Sequence, residues 1–104
     1  MPHNIDEVIK LVNDGQGILI DVRESQEWEM GYIQNSLLIP LSKIKNSTDD
    51  IELPKDKDLF LYCRSGQRSQ TAAFLLNKKF PRCYSLKEGF EDLVNLNLSI
   101  AYYE

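Results

Sequence analysis

The chain has 104 residues, of which 42% are hydrophobic and 27% charged, and its formal net charge is −4. This length suits one domain whose core is large enough to fold without disulfides or a structural metal, which disfavours two-domain, collagen-like and disordered chains. The acidic balance argues against nucleic acid or an anionic membrane as a partner. The sequence has no apolar run of membrane-spanning length and no signal-peptide pattern, so a cytoplasmic protein is expected.

The predicted elements alternate between helices and strands. A helix is expected from the N-cap Asn4 to Gly15, because apolar residues recur at helical spacing after an acidic first turn. Short apolar runs then predict strands, and continuous runs of this kind suit a parallel sheet that is covered on both faces. The predicted strands cover residues 17–23, 36–40, 58–62 and 82–86.

Two further helices are predicted in the second half of the chain. One covers about residues 66–79 with an apolar face that includes Ala72 and Leu76, and the other covers about 87–95. The polar segment 46–58 is expected to be a connecting loop with room for a short helix. This order predicts an α/β domain with a mostly parallel sheet, in which ligands bind beyond the carboxyl ends of the strands.

Positive charge is concentrated in one part of this acidic chain. Residues 59–87 contain six basic residues and no acidic one, whereas the rest of the chain contains six basic and sixteen acidic residues. The six basic residues are Arg64, Arg68, Lys78, Lys79, Arg82 and Lys87. We therefore expect a local anion site in this part of the protein.

Residues of the nucleophilic and metal-binding types are few. Cys63, Cys83 and His3 are too few and too scattered for a zinc site, and the sequence has no CxxC motif, so neither metal nor dithiol chemistry is predicted. His3 falls in an N-terminus that is expected to be frayed, which leaves Cys63 without an imidazole base. Cys83 is expected to be buried in a core strand, the alternative being a resolving or regulatory thiol.

The polar loop that begins at Cys63 and ends at Ser69 is the strongest candidate for chemistry. The start of the following helix offers unpaired N–H groups and the positive end of a dipole, which stabilise an anion. Gly66 allows the backbone angles that a tight anion-binding loop requires. Arg64 and Arg68 add positive charge. Each of these features lowers the pKa of a thiol, so Cys63 is predicted to be a thiolate at neutral pH.

The loop also resembles a known active site. It reads Tyr62-Cys63-Arg64-Ser65-Gly66-Gln67-Arg68-Ser69, which is similar to the active-site loop of rhodanese-like sulfurtransferases. A second block resembles the N-terminal signature of that family, and its parts are Ile20-Asp21-Val22-Arg23-Glu24-Ser25-Gln26-Glu27-Trp28, Gly31-Tyr32-Ile33 and Ile39-Pro40. Before the last helix the family often has Gly-Gly, where this chain has Glu88-Gly89.

The resemblance implies a fold and an activity. The fold is one rhodanese-like domain over residues 1–104, with three α/β/α layers around a mostly parallel sheet of about five strands. The activity is transfer of a sulfane sulfur through a persulfide on the catalytic residue Cys63, without a cofactor or a metal. The implied donor is a small anion such as thiosulfate. The implied acceptor is cyanide in an assay, or a cellular or protein thiol such as thioredoxin or a sulfur-carrier protein. A monomer is expected.

Roles for the other residues follow from the same resemblance. The residues expected to bind substrate are Arg64, Ser65, Gly66, Gln67, Arg68 and Ser69. Arg68 either attracts the anionic donor or turns inward to brace the loop, and both roles stay open. Asp21 and Arg23 project from the same face of their strand, and with Glu24 and Glu27 they are expected to form a supporting ion-pair network.

Two other functions are compatible with a reactive cysteine in an anion-binding loop. Cysteine-dependent phosphatases and arsenate reductases resemble Cys-x5-Arg, whereas Cys63 and Arg68 form Cys-x4-Arg, and no general acid can be assigned. The other alternative is a module of the same fold that does not catalyse but binds a partner or senses redox state through Cys63 and Cys83.

Overall fold

The computed structural model describes residues 3–103. Its elements in chain order are α1 Ile5–Asn13, β1 Gly17–Asp21, α2 Ser25–Trp28, β2 Tyr32–Ile33, β3 Leu37–Leu38, α3 Leu41–Ser47, a 3-10 turn Thr48–Asp50, β4 Asp58–Tyr62, α4 Gln67–Leu76, β5 Cys83–Ser85, α5 Phe90–Asn95 and β6 Ile100–Ala101. No helix in the described range is long and apolar enough to cross a membrane.

Four strands form the central sheet, in the order β3-β1-β4-β5, and all of its pairings are parallel. In its middle, β1 and β4 pair from Gly17 opposite Asp58 to Asp21 opposite Tyr62. The predicted α/β fold around a parallel sheet is therefore confirmed, with four strands in that sheet where about five were expected. The remaining strands, β2 and β6, pair antiparallel with each other.

Helices cover both faces of the sheet. Side chains alternate along a strand, so Leu59 and Leu61 of β4 pack on the side of α3 and α4, whereas Phe60 and Tyr62 pack on the side of α1 and α5. All four side chains are buried. This two-sided burial explains why β4 is a continuous apolar run rather than an alternating one, and it produces the three layers.

Four short elements, α2, α3, β2 and β6, were not predicted. Helix α2 has four residues, and α3 buries only Leu41 and Ile44, so neither repeats an apolar spacing often enough to be recognised. Strands β2 and β6 have two residues each. The predicted loop at 46–58 begins with the end of α3 and the 3-10 turn, and is otherwise irregular apart from its last residue.

The prediction of a frayed N-terminus around His3 is wrong. The His3 ring packs edge-on against Phe60 and Tyr84, with ring centroids 5.6 and 5.7 Å away. Its nitrogens lie 3.6 Å from carboxylate oxygens of Asp58 and Glu7 rather than beside the Cys63 thiol. His3 therefore helps to hold α1 against the sheet.

Candidate active site

The loop that carries Cys63 connects β4 to α4 at the carboxyl edge of the parallel sheet. This is the edge at which open α/β sheets bind ligands. Gly66 is the N-cap of α4 and has a φ of 92°, a left-handed value that glycine adopts without the strain of a side chain. The turn at Gly66 directs its own N–H back toward Cys63.

The Cys63 sulfur lies beneath this turn. The Gly66 N–H donates to Sγ over 3.0 Å, and the Ser69 hydroxyl oxygen lies 3.6 Å from the same atom. Cys63 is fully buried, whereas the Arg64, Ser65 and Gln67 side chains above it are exposed. The loop thus encloses the sulfur atom and gives it a backbone N–H donor.

These contacts change the acidity of the thiol. Burial raises the pKa of Cys63, but hydrogen bonds to the sulfur outweigh it and bring the pKa below its ordinary value. The bonds come from the backbone and hydroxyl of Ser69 and from the backbone N–H groups of Gly66 and Ser65. The direction agrees with the sequence-based expectation, and the hydrogen bonds to the sulfur are the main cause that lowers the pKa.

Ser69 is held in place by a residue that the sequence did not single out. Ser69 is buried, donates from Oγ to the Gly66 carbonyl over 3.0 Å, and lies 2.7 Å from the hydroxyl of Ser85. Ser85 is the last residue of β5, the neighbouring strand of the sheet. A lone serine at a strand end carries no sequence signal for this role.

Arg68 braces the loop against α2. Its guanidinium donates two hydrogen bonds to the Glu27 carboxylate, over 2.6 and 2.9 Å. The Glu24 N–H donates to the same carboxylate over 3.0 Å. Of the two roles left open for Arg68, this geometry matches the bracing one. It also means that Glu27 pairs with Arg68 and not with Arg23.

Asp21 and Arg23 form a separate, buried pair behind the loop. The Arg23 Nη2 lies 2.8 Å from Asp21 Oδ2 and donates to the Gly31 carbonyl over 2.7 Å. The Arg23 guanidinium also lies over the Phe90 ring, 4.2 Å from its centroid. Phe90 in turn donates its N–H to the Cys63 carbonyl over 2.8 Å. The pair therefore supports the loop from below.

The basic segment 59–87 does not form one anion site. Lys79 donates to the Glu52 carboxylate over 2.7 Å, and Arg82 donates to the Asp58 carboxylate at the far end of β4 over 2.9 Å. Within residues 3–103, Arg64 is exposed and forms no ion pair, so it is the loop cation that stays open to an anion.

Comparison with known sequences decides the family. Residues 4–96 match the sequence profile of the rhodanese-like domain. The chain belongs to the rhodanese-like family. The resemblance read from the loop and from the first strand is therefore confirmed over most of the chain.

Three relatives show how far this similarity extends. The uncharacterized protein YqhL of Bacillus subtilis is 43% identical over 74 residues, which cover 70% of this chain and 57% of that protein. A protein of Allochromatium vinosum named sulfurtransferase is 35% identical over 81 residues, 77% of this chain and 74% of that one. The crystal structure of a rhodanese-related protein from Thermoplasma volcanium superposes with a TM-score of 0.80 at 23% identity and covers 97% of both chains.

Gly89 is the second site residue that sequence reasoning missed. A Cβ placed on Gly89 would lie 1.8 Å from the Arg64 carbonyl oxygen and 3.2 Å from that of Cys63. The rhodanese loop therefore passes directly over this glycine, with no space for a side chain between them. The partial match of Glu88-Gly89 to the Gly-Gly pair of the family was the sequence signal for this role. The structure shows that the second position of the pair has no space for a side chain.

The two thiols are expected to titrate far apart. Ultraviolet absorbance of the thiolate, followed against pH in the native protein, should show one group that ionises below the ordinary thiol range. That group should be absent from Cys63→Ser and present in Cys83→Ser, because burial raises the pKa of Cys83 to about 12. Loss of the low-pH transition in Cys83→Ser instead would contradict the assignment.

Removal of the Glu27 charge should change the acid dependence of stability. Hydrogen bonding by Arg68, against an opposing effect of burial, lowers the pKa of Glu27 from 4.5 to about 2. The carboxylate therefore contributes stability that is complete above pH 4.5 and is lost as the pH falls toward 2. In that window the free energy of unfolding, measured with denaturant, should decline less steeply for Glu27→Gln than for the wild type.

Glu29→Gln is the matched control for this measurement. Glu29 is exposed and has no ion pair within the described residues. Its substitution should leave the slope of the free energy of unfolding against pH, between pH 4.5 and 2, the same as in the wild type. Equal slopes for the wild type and Glu27→Gln would show that the bond to Arg68 is not maintained in solution.

Proposed function

We propose that this rhodanese-like protein is a sulfurtransferase that carries sulfur as a persulfide on Cys63. The observation that supports this most is the position of the Cys63 sulfur, which accepts a hydrogen bond from the Gly66 N–H in the loop at the N-terminus of α4, where the pKa of the thiol is lowered. A thiolate is the nucleophilic form of cysteine, and the N–H groups that stabilise it are placed to stabilise the terminal sulfur of a persulfide.

In the first half-reaction, the Cys63 thiolate attacks the outer sulfur of a sulfane donor such as thiosulfate. A bond forms between Sγ and that sulfur, the sulfur–sulfur bond of the donor breaks, and sulfite leaves with the electron pair. Arg64 is the open cation that attracts the anionic donor. Because Cys63 is fully buried, the donor reaches the sulfur only after a local rearrangement of the residues that cover it.

In the second half-reaction, the thiolate of an acceptor attacks the outer sulfur of the persulfide. The acceptor leaves as a persulfide, and the Cys63 thiolate is regenerated without net oxidation. No bound cofactor or metal is needed for either step. Ping-pong kinetics follow, because donor and acceptor react with different forms of the enzyme.

The test is the intact mass of the protein after incubation with thiosulfate. One added sulfur is expected in the wild type and in Cys83→Ser, no addition in Cys63→Ser, and cyanide should remove the added sulfur. Cys83→Ser is the matched control because Cys83 is also buried but its pKa is raised rather than lowered. If neither thiosulfate nor a persulfide or polysulfide donor adds sulfur, the proposal is wrong.

The alternative reaction, hydrolysis of a phosphate ester, is detected by a separate assay. Hydrolysis of p-nitrophenyl phosphate that is lost in Cys63→Ser, in a protein that takes no sulfur from any donor, would indicate a phosphatase. The buried sulfur of Cys63, with Gly66 N–H at 3.0 Å and Ser69 Oγ at 3.6 Å, favours a single added sulfur atom over a bulkier phosphate.

A further inference from the structure

A groove opens beside the loop of Cys63, on the side of Arg64. It has a volume of about 360 Å³ and is lined by Arg23, Glu27, Met30, Arg64, Phe90 and Glu91. Arg23 and Glu27 are already paired with Asp21 and Arg68, which leaves Arg64 and Glu91 as the open charges. Among the described residues, the groove therefore combines the open charges of Arg64 and Glu91 with an apolar wall formed by the side chains of Met30 and Phe90.

The apolar wall continues onto the surface around Gly31. A Cβ placed on Gly31 would lie 2.8 Å from Ile100, 3.5 Å from Tyr102 and 3.6 Å from Phe90, so these three side chains converge there. Met30, next in the chain, is 81% exposed, and Tyr102 is 65% exposed. Ile100 and Tyr102 follow residues 4–96, the part of the chain that matches the family profile.

Binding of a small anionic donor such as thiosulfate does not require an exposed apolar surface of this kind. Exposed methionine and tyrosine side chains beside a reactive site are a feature of surfaces that contact another polypeptide. In a polypeptide partner, the group that complements the Arg64 charge is a carboxylate, and because Arg64 follows Cys63 in the chain, that carboxylate would lie beside the loop that carries Cys63.

We propose that this groove and the adjoining surface of Met30, Phe90, Ile100 and Tyr102 dock a polypeptide that presents the acceptor thiol, with an acidic and an apolar residue beside its cysteine. The inference rests on the proposed sulfurtransferase function and names the class of its acceptor. The apolar residue packs on Met30 and Tyr102, and the carboxylate pairs with Arg64. The acceptor thiolate then attacks the outer sulfur of the Cys63 persulfide, and the bond between the two sulfurs of that persulfide breaks.

The experiment separates the two half-reactions. Cys63 is first loaded with thiosulfate and the protein is desalted, and the intact mass gives the loaded fraction. Transfer is then timed to three probes: N-acetyl-Glu-Leu-Cys-Gly-amide, its Lys-Leu-Cys-Gly counterpart, and 2-mercaptoethanol. The acidic peptide should react with a second-order rate constant about fivefold or more above that of the basic peptide.

Surface variants test the docking site itself. Relative to the rate with 2-mercaptoethanol, Met30→Ser and Tyr102→Ser should each lower the rate with the acidic peptide by about fivefold or more. Arg64→Gln should remove the preference for the acidic peptide, and Glu91→Gln should increase it. Phe74→Ser is the matched control, because Phe74 is 70% exposed but lies on α4, outside the groove.

The outcomes distinguish failure of the docking surface from failure of the proposed sulfurtransferase function, on which the docking surface depends. If Cys63 does not load sulfur from any donor, the sulfurtransferase function fails. If it loads and transfers to 2-mercaptoethanol, but the two peptides react equally or Met30→Ser and Tyr102→Ser behave like Phe74→Ser, the function stands and the docking surface is overturned.

Discussion

Gly89→Ala is expected to reduce persulfide formation on Cys63 by about a hundredfold, because misplacing a reacting group by about 1 Å has an effect of that size. The added methyl group would lie 1.8 Å from the Arg64 carbonyl oxygen, so the loop must move. The backbone of Gly89, with φ −93° and ψ −175°, suits alanine, and the clash is therefore the whole cause. The free energy of unfolding should fall by about 1–3 kcal/mol, as in other overpacked sites.

Gly15→Ala is the matched control for Gly89→Ala. Gly15 has a φ of 78° with no atom within 4 Å of an added Cβ, and it lies between α1 and β1, away from the loop. Its substitution should reduce stability by about 1–2 kcal/mol through backbone strain alone and leave sulfur loading unchanged. Persulfide formation at the wild-type rate in Gly89→Ala would show that the loop tolerates displacement. The rate is measured from intact mass in single-turnover reactions with thiosulfate.

Prediction from the sequence succeeded where the structure depends on residues that are close together in the chain. The run at 58–62 predicted β4 with its observed bounds, because a strand buried on both faces admits almost only apolar side chains. The position of Cys63 after that strand placed it at the carboxyl edge of the sheet. These conclusions depend on residues that are close together in the chain, so the sequence of this protein alone was sufficient for them.

Contacts between distant segments could not be predicted in the same way. Arg68 and Glu27 are 41 residues apart, and whether Arg68 turned toward a donor or toward α2 depended on how α2 packs. The basic residues of 59–87 do not all converge on one site, for the same reason. Charges that are close in sequence diverge in space, and the Arg82 guanidinium lies at the opposite end of β4 from Cys63.

The lowered pKa of Cys63 and the open charge of Arg64 have different structural causes. Donors from Gly66 and Ser69 stabilise the thiolate, so Cys63 keeps its low pKa even though Arg68 is engaged with Glu27. Arg64 is then free to contact a donor or a partner. The sequence does not distinguish these roles, because Arg64 and Arg68 carry the same side chain in the same loop and only the packing of α2 decides which one forms an ion pair.

Asp21→Ala is expected to reduce the free energy of unfolding by about 3–5 kcal/mol, because it leaves the Arg23 charge buried without its partner. The Asp21 and Arg23 side chains are 0% and 5% exposed, and their charged atoms lie 2.8 Å apart. The pair formed by Glu52 and Lys79 has a similar separation of 2.7 Å, but the Glu52 side chain is 85% exposed. Glu52→Gln should therefore have little effect, since water screens an exposed pair.

Comparison of the single substitution with a double one identifies the cause of the loss. Asp21→Asn/Arg23→Met removes both charges and keeps the buried volume nearly the same, so it should recover most of the stability that Asp21→Ala loses. Denaturant unfolding of the three variants measures this. If the double variant is as unstable as Asp21→Ala, the Arg23 contacts with the Phe90 ring and the Gly31 carbonyl, which only the double variant removes, contribute as much stability as pairing of the charge does.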